Sequence, residues 1–119
     1  MALRLCALAE IPDNGSLGFG DGSTDSVFAV RRGDQVYVYR NRCPHAGAPL
    51  NWMPHRFLDR TREHIICSAH GALFDIRSGA CVAGPCPGQS LTPADFEVRD
   101  GDLWLLADFP VRDPRPTAP

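Results

Sequence analysis

The 119-residue chain contains no lysine, which we attribute to coding bias before function, and it contains no long apolar run. No stretch approaches the roughly 18 apolar residues of a membrane-spanning helix. The opening segment, MALRLCALAE, has no basic region followed by the long apolar run of a secretory signal. The net charge is −2 and the arginines form no stripe, so nothing indicates a nucleic-acid or membrane-surface partner. We expect a cytoplasmic protein whose five cysteines are metal ligands or core thiols rather than disulfides.

The sequence also lacks a capped amphipathic helical stripe, which argues against a helical fold. Eleven glycines and eleven prolines separate short runs rich in β-branched and aromatic residues. SVFAVRR-GD-QVYVYR and FEVR-DG-DLWLLA predict hairpins, because Asp and Gly favour tight turns. Further strands are predicted for LRLCALAEI, HIICSA, GALFDI and ACVAG, a loop for 13–25, and at most one helical turn for 51–63. The pattern predicts an all-β fold, an antiparallel β-sandwich or barrel.

Two segments each combine a cysteine with a histidine: CPHAGAPL (43–50) and CSAHGALFD (67–75). Two thiolates and two imidazoles can bind zinc tetrahedrally, but the common zinc finger places its cysteines first and its histidines second. Mixed pairs suit a centre with two metals, in which each loop gives its cysteine to one metal and its histidine to the other. A [2Fe–2S] cluster with two thiolates on one iron and two imidazoles on the other has this ligand set.

The pattern C-x-H…C-x2-H, followed by G-x-x-F-D and then SG…GP, resembles the Rieske iron–sulfur family over about residues 3–107. The resemblance implies one [2Fe–2S] cluster, with Cys43 and Cys67 on the inner iron and His45 and His70 on the outer iron. It implies that the two loops, about 43–50 and 67–75, form a tip of the all-β fold. It also implies that Gly47 and Gly71 let backbone amides approach the bridging sulfides.

Two departures place the chain within this family. Rieske proteins of bc-type complexes carry an extra disulfide between the loops, where Ala48 and Ala69 stand here. They also place a serine and a tyrosine after the second histidine, where this chain has Ala72 and Phe74. Without these hydroxyls the reduced cluster is less stabilised, so we expect a low potential. The chain is similar to soluble Rieske-type ferredoxins and to nitrite reductase small subunits, although its spacer between the loops is a few residues longer than in the usual ferredoxins.

The remaining reactive side chains have ordinary interpretations. His55 and His64 are expected to be surface histidines, and Cys6 and Cys81 small core residues. Cys86 lies in GPCPG, which resembles the proline loop covering the cluster, and a Cys81–Cys86 disulfide is a minor alternative. Asp75 is expected to tie the second loop down by accepting hydrogen bonds from backbone amides.

The resemblance implies a one-electron carrier. The residues outside the motif cannot form a catalytic triad or a mononuclear iron site, so we expect that the chain is not an enzyme by itself. Its donor would be a flavin-dependent reductase and its acceptor an oxygenase or another terminal oxidoreductase. The alternatives are a small iron–sulfur subunit of a nitrite-reductase-like assembly, a redox sensor and, least favoured, a structural zinc module. We expect one domain, 1–108, with a cluster-binding subdomain at about 43–87 and a proline-rich tail at 109–119.

Overall fold

Short antiparallel strands dominate the computed structural model, which describes residues 2–20, 25–44, 49–51, 53, 55–68, 71–84 and 88–106. The described ranges contain nine strands and one short 3-10 helix, Leu8–Glu10. The strands are β1 (Leu3–Ala7), β2 (Gly15–Gly20), β3 (Asp25–Arg32), β4 (Gln35–Arg40), β5 (His64–Ile66), β6 (Leu73–Asp75), β7 (Cys81–Ala83), β8 (Phe96–Arg99) and β9 (Asp102–Leu105).

The strands form three antiparallel sheets, with the orders β1-β9-β8, β2-β3-β4 and β5-β6-β7. The predicted all-β class is therefore confirmed. Both predicted hairpins are present, since Arg32 pairs with Gln35 and Arg99 pairs with Asp102. At the second turn Asp100 and Gly101 have φ values of 50° and 80°. Two positive values in succession are typical of the tight turn that matches strand twist.

The predicted loop at 13–25 is wrong over 15–20, because β2 occupies these residues and pairs with β3 from Gly15↔Arg31 to Gly20↔Asp25, whereas 21–24 lie outside the described residues. Leu17 and Phe19 pack against the core, while the intervening glycines hide the strand pattern. Gly15 is needed for close packing, since a Cβ there would lie 2.8 Å from the Cβ of Pro12. Gly15, which indicates a loop by composition, therefore serves a closely packed strand.

The segment 51–63 contributes an extended stretch instead of the helical turn that the sequence permitted, and its described residues contain no helix. Leu58 forms an antiparallel bridge with Ile65, and the Ile66 amide donates to the Phe57 carbonyl at 3.0 Å. The Phe57 ring is fully buried and stacks on Phe28, with centroids 4.2 Å apart. The segment is thus anchored between the β2-β3-β4 and β5-β6-β7 sheets.

Tyr39 of β4 also links these two sheets, in the same core cluster as Phe28 and Phe57. Its hydroxyl donates to the Ile76 carbonyl at 2.7 Å, and burial raises the pKa of this phenol to about 12. Its ring lies so close to Gly79 that a Cβ there would be 2.8 Å from Cε1. The turn after β6 is therefore held against β4, which sets the position of the small sheet.

We expect Phe57→Ala to lower the free energy of unfolding by about 3 to 5 kcal/mol, because it removes a buried ring and leaves a cavity. Urea unfolding followed by circular dichroism measures the change. Met53→Ala in the same segment is the matched control, since this side chain is 54% exposed. Equal unfolding midpoints for the two variants would show that Phe57 does not anchor the segment.

Candidate metal centre

Cys43 and Cys67 lie in the same apolar cluster although 24 positions separate them in the chain. Cys43 follows the end of β4 and Cys67 follows β5 directly, so each begins a loop where a strand ends. Their exposed fractions are 1% and 0%. Two thiols enclosed by apolar side chains provide a soft donor pair that is shielded from water.

Asn41 closes the base of the first loop. Its Oδ1 accepts a hydrogen bond from the Leu50 amide at 2.8 Å, and its Nδ2 donates to Asn51 Oδ1 at 2.9 Å. Its own amide donates to the Ser26 carbonyl at 2.9 Å. Among the described residues Asn41 is the only polar side chain in the buried class, at 8% exposed. It thus holds both ends of the segment that starts at Cys43.

The second loop is closed by its own backbone. The Cys67 amide donates to the Ala72 carbonyl at 2.9 Å, and the Gly71 amide donates to the Cys67 carbonyl at 2.8 Å. Gly71 has a φ of 73°, which a residue with a Cβ rarely adopts. The Gly71 amide is already bonded to the Cys67 carbonyl, so it is not available to a sulfide. The positive φ of Gly71 instead allows the tight turn of this loop.

One hydrogen bond joins the two loops directly. The Ser68 amide donates to the Leu50 carbonyl at 2.8 Å, while the Leu50 amide is held by Asn41. The residue after Cys67 is therefore connected through Leu50 to the base of the first loop. This connection couples the positions of the two thiols.

The other predicted ligands, His45 and His70, lie outside the described residues, as do Gly47, Ala48, Ala69 and Cys86. The ligand set is therefore still a prediction, and so is the minor Cys81–Cys86 alternative. Cys81 is partly buried and packs against the cluster that contains Cys43 and Cys67, while Cys6 is buried in the other core cluster. Burial raises the pKa of Cys6 to about 11, which keeps this thiol protonated and unreactive.

Ala72 and Phe74, which occupy the positions of the missing hydroxyls, are fully buried in the same cluster as the two thiols. The backbone beside Ala72 is approached closely by Gly84, where a Cβ would lie 2.7 Å from the Ala72 Cα. Both side chains therefore present only hydrocarbon to the interior around Cys43 and Cys67.

Asp75 has a structural role, but it stabilises the turn after β6 and not, as the sequence led us to expect, the second loop. Its Oδ2 accepts hydrogen bonds from the amide and the hydroxyl of Ser78, both at 2.8 Å. The bond from the Ser78 hydroxyl, followed by those from the Ser78 and Arg77 amides, lowers the pKa of this carboxyl. The carboxylate therefore stabilises the turn between β6 and β7, whereas the second loop is held by its own backbone bonds.

His55 and His64 lie at the surface or partly buried, and each makes a specific contact that the sequence did not indicate. The Nδ1 of His55 accepts a hydrogen bond from the Gly18 amide at 3.0 Å, and His55 has a φ of 65°. The Nδ1 of His64 lies 3.6 Å from Asp59 Oδ2. Asn41 is likewise missed, because no local pattern distinguishes a polar clamp from a surface asparagine.

The donor set fits an iron–sulfur centre, since both buried thiols belong to one group of apolar core residues. The described residues contain no group of three or more metal-ligating side chains, and the predicted histidines lie beyond them. The family model described as "Rieske [2Fe-2S] domain" matches residues 2–110. The chain belongs to the Rieske [2Fe-2S] domain family. Its cofactor is accordingly one [2Fe–2S] cluster.

Rieske ferredoxins share both fold and sequence with this chain. The ferredoxin of carbazole 1,9a-dioxygenase from Nocardioides aromaticivorans is 28% identical with a TM-score of 0.69, and the match covers 88% of this chain and 96% of that one. A Sphingomonas yanoikuyae ferredoxin is 26% identical with a TM-score of 0.66, over 88% and 97% of the two chains.

The chain is also similar to an iron–sulfur subunit of a reductase. The menaquinol:cytochrome c reductase iron–sulfur subunit of Geobacillus thermodenitrificans is 29% identical over 79 residues, which cover 66% of this chain and 44% of that protein. The match therefore spans less than half of the relative's length.

No helix among the described residues is long and apolar enough to cross a membrane.

We expect Asn41→Ala to lower the free energy of unfolding by about 1 to 3 kcal/mol, because it leaves a buried amide without its acceptor. The loop should also release its iron faster, which is measured as loss of visible absorbance in the presence of a chelator. Asn51→Ala is the control, since it removes a partner of Asn41 but leaves the Leu50 bond in place. Wild-type iron retention in Asn41→Ala would contradict the clamp.

Proposed function

We propose that this Rieske protein is a one-electron carrier with a low-potential cluster, and not an enzyme in itself. The observation that carries the proposal is the burial of Cys43 and Cys67 in one group of apolar core residues. The two loops that these cysteines begin are joined by the hydrogen bond from Ser68 to Leu50. A carrier needs a redox site whose surroundings change little between oxidation states. Loops tied by several short hydrogen bonds meet this requirement.

We further propose that Cys43 and Cys67 bind the inner iron and His45 and His70 bind the outer iron. The burial of both cysteines supports their inner position, and the order of residues in each loop supports the pairing. When bound, the cluster accepts and releases one electron, and neutral imidazoles in place of two thiolates raise its potential above that of a four-cysteine cluster. The chain itself orients the thiols and excludes water from them.

The low potential is proposed from the side chains around the thiols. Hydroxyl donors to sulfur favour the reduced, more negative state. Ala72 and Phe74 are buried beside the thiols and carry no hydroxyl, so they cannot provide that stabilisation. We therefore place the potential toward the lower end of the roughly −150 to +300 mV span of Rieske centres.

The proposed partners are a flavin-dependent reductase as donor and an oxygenase or another terminal oxidoreductase as acceptor. The similarity to the ferredoxin of carbazole 1,9a-dioxygenase supports an oxygenase acceptor. We also propose a cytoplasmic location, a Rieske domain over 1–108 and a tail at 109–119 outside it.

Electron paramagnetic resonance on the purified protein, oxidised and then reduced with dithionite, tests the proposal. We expect a rhombic signal only after reduction, with the low average g of a histidine-ligated cluster and about two irons and two sulfides per chain. His70→Cys should lower the potential or abolish the cluster, whereas the control His55→Ala should keep the signal. One zinc per chain without sulfide would refute the carrier, and an unchanged spectrum and potential in His70→Cys would refute the ligand assignment.

We expect Phe74→Tyr and Ala72→Ser to raise the reduction potential, by up to about 60 mV each, which is the one-electron equivalent of ~1.4 kcal/mol. Each change adds a hydroxyl that can donate to sulfur in the reduced state. Ala72→Val is the control for altered packing, since it adds volume without a donor. Potentials are measured by voltammetry, and equal shifts in Ala72→Ser and Ala72→Val would show that the hydroxyl is not the cause.

A further inference from the structure

A cleft of about 390 Å³ lies between the segment 51–63 and the start of β2. Its lining includes Pro12, Gly15 and Leu58 together with the arginines at 56, 60 and 62. The volume falls within the roughly 300 to 1,000 Å³ of small-molecule sites. The lining combines apolar side chains with three guanidinium groups and the carboxylate of Asp59.

The cleft is separate from the cluster-binding loops. Gly15 pairs with Arg31, whereas the first loop leaves the sheet after Arg40, which pairs with Val27. Val27 and Arg31 are four residues apart on β3, which corresponds to about 13 Å along the sheet. The cleft thus lies toward the other end of the β2-β3-β4 sheet from Cys43.

The arginines of the cleft have few partners within the described part of the chain. The guanidinium groups of Arg56 and Arg60 make no hydrogen bond or ion pair there, and Arg62 makes only a 3.4 Å contact to the Asn14 carbonyl. By contrast, Arg4 and Arg99 are paired with Asp102 and Glu97. Guanidinium groups offer planar, two-pronged donors that match carboxylates and phosphates.

The carboxylate that lines the cleft, Asp59, already accepts hydrogen bonds from neighbouring residues. Asp59 Oδ1 accepts hydrogen bonds from Thr61 Oγ1 and from the amides of Glu63 and His64. Its other oxygen faces the His64 ring at 3.6 Å. Burial opposes its ionisation, but the hydrogen bonds from Thr61, His64 and Glu63 outweigh this effect and lower the pKa of Asp59. The carboxylate therefore has its own donors and forms no ion pair with these arginines among the described residues, and its charge leaves the lining with three guanidinium groups against one carboxylate.

His55 presents a further donor to the cleft. Because its Nδ1 accepts from the Gly18 amide, the neutral ring carries its proton on Nε2. His55 and Arg62 also have positive φ values of 65° and 63°, two of the four such non-glycine residues described. Backbone strain of this kind persists where the surrounding structure requires it, and it concentrates at functional sites.

We propose that this cleft is a binding site for a small organic anion, with a carboxylate or phosphate held by Arg56, Arg60 and Arg62. An apolar body would lie against Pro12 and Leu58, and the His55 Nε2–H would supply an additional donor. The site goes beyond electron transfer and does not depend on the cluster ligands.

Calorimetric titration of the oxidised holoprotein, at constant ionic strength set with sodium chloride, tests the site. The probes are benzoate and phenyl phosphate, with inorganic phosphate as head group alone and benzyl alcohol as apolar body alone. We expect saturable one-to-one binding of at least one of the two organic anions, weaker binding of inorganic phosphate and none of benzyl alcohol. The stronger of benzoate and phenyl phosphate identifies the preferred head group. Amide shifts confined to the cleft, at Gly15 and Arg62, would locate the bound probe.

Arg60→Ala and Arg56→Ala should each weaken binding by about tenfold or more, because each removes a charged hydrogen-bond donor. Arg60→Lys, which keeps the charge but loses the planar fork, should lose only part of the affinity. Arg99→Ala is the control, since it removes one exposed positive charge from a different sheet. All variants should retain the wild-type cluster spectrum, so the outcome is independent of the carrier proposal.

Three results would overturn the site. The first is the absence of saturable binding of either organic anion, and the second is an equal loss of affinity in Arg99→Ala. The third is much tighter binding of an octaglutamate peptide than of either organic anion, which would identify the cleft as a docking surface for an acidic protein segment instead.

Discussion

The requirement to hold two thiols at one place inside an apolar core governs the arrangement of this chain. Cys43 and Cys67 begin separate loops, and each loop contains polar backbone groups that burial would leave without partners. Asn41 supplies the acceptor for one of these groups, and the backbone of the second loop supplies its own. The Ser68 to Leu50 bond then makes the two loops a single unit. The thiols are thereby positioned by hydrogen bonds of the surrounding backbone.

This unit depends on the packing of the small β5-β6-β7 sheet against the β2-β3-β4 sheet. Two contacts on different elements set the relative position of these sheets: the Phe28–Phe57 stack and the Tyr39 to Ile76 hydrogen bond. The glycines at 79 and 84 permit close approach, since a Cβ at either position would collide with Tyr39 or Ala72. The core of the domain and the surroundings of Cys43 and Cys67 are consequently formed by the same side chains, and a packing change in the core affects both thiols.

The segment between the loops has two different surfaces. Phe57 is directed into the core beside the cluster of Cys43 and Cys67, whereas Arg56, Arg60 and Arg62 line a cleft outside it. His55 and Arg62, which flank the other two arginines, have positive φ values. The same stretch therefore supports the metal centre through its buried ring and forms a separate cationic surface through its charges.

The sequence by itself determined the fold class, most strands and the cofactor family, because ligand spacing and strand alternation are local patterns. It also indicated the missing hydroxyls at Ala72 and Phe74, whose burial among the core residues became visible only in three dimensions. Tertiary structure decided β2, since its glycines have the composition of a loop and pair only because β3 lies beside them. It likewise decided the clamp at Asn41 and the arginine cleft. These features arise where residues distant in the chain meet, and such contacts have no local sequence pattern.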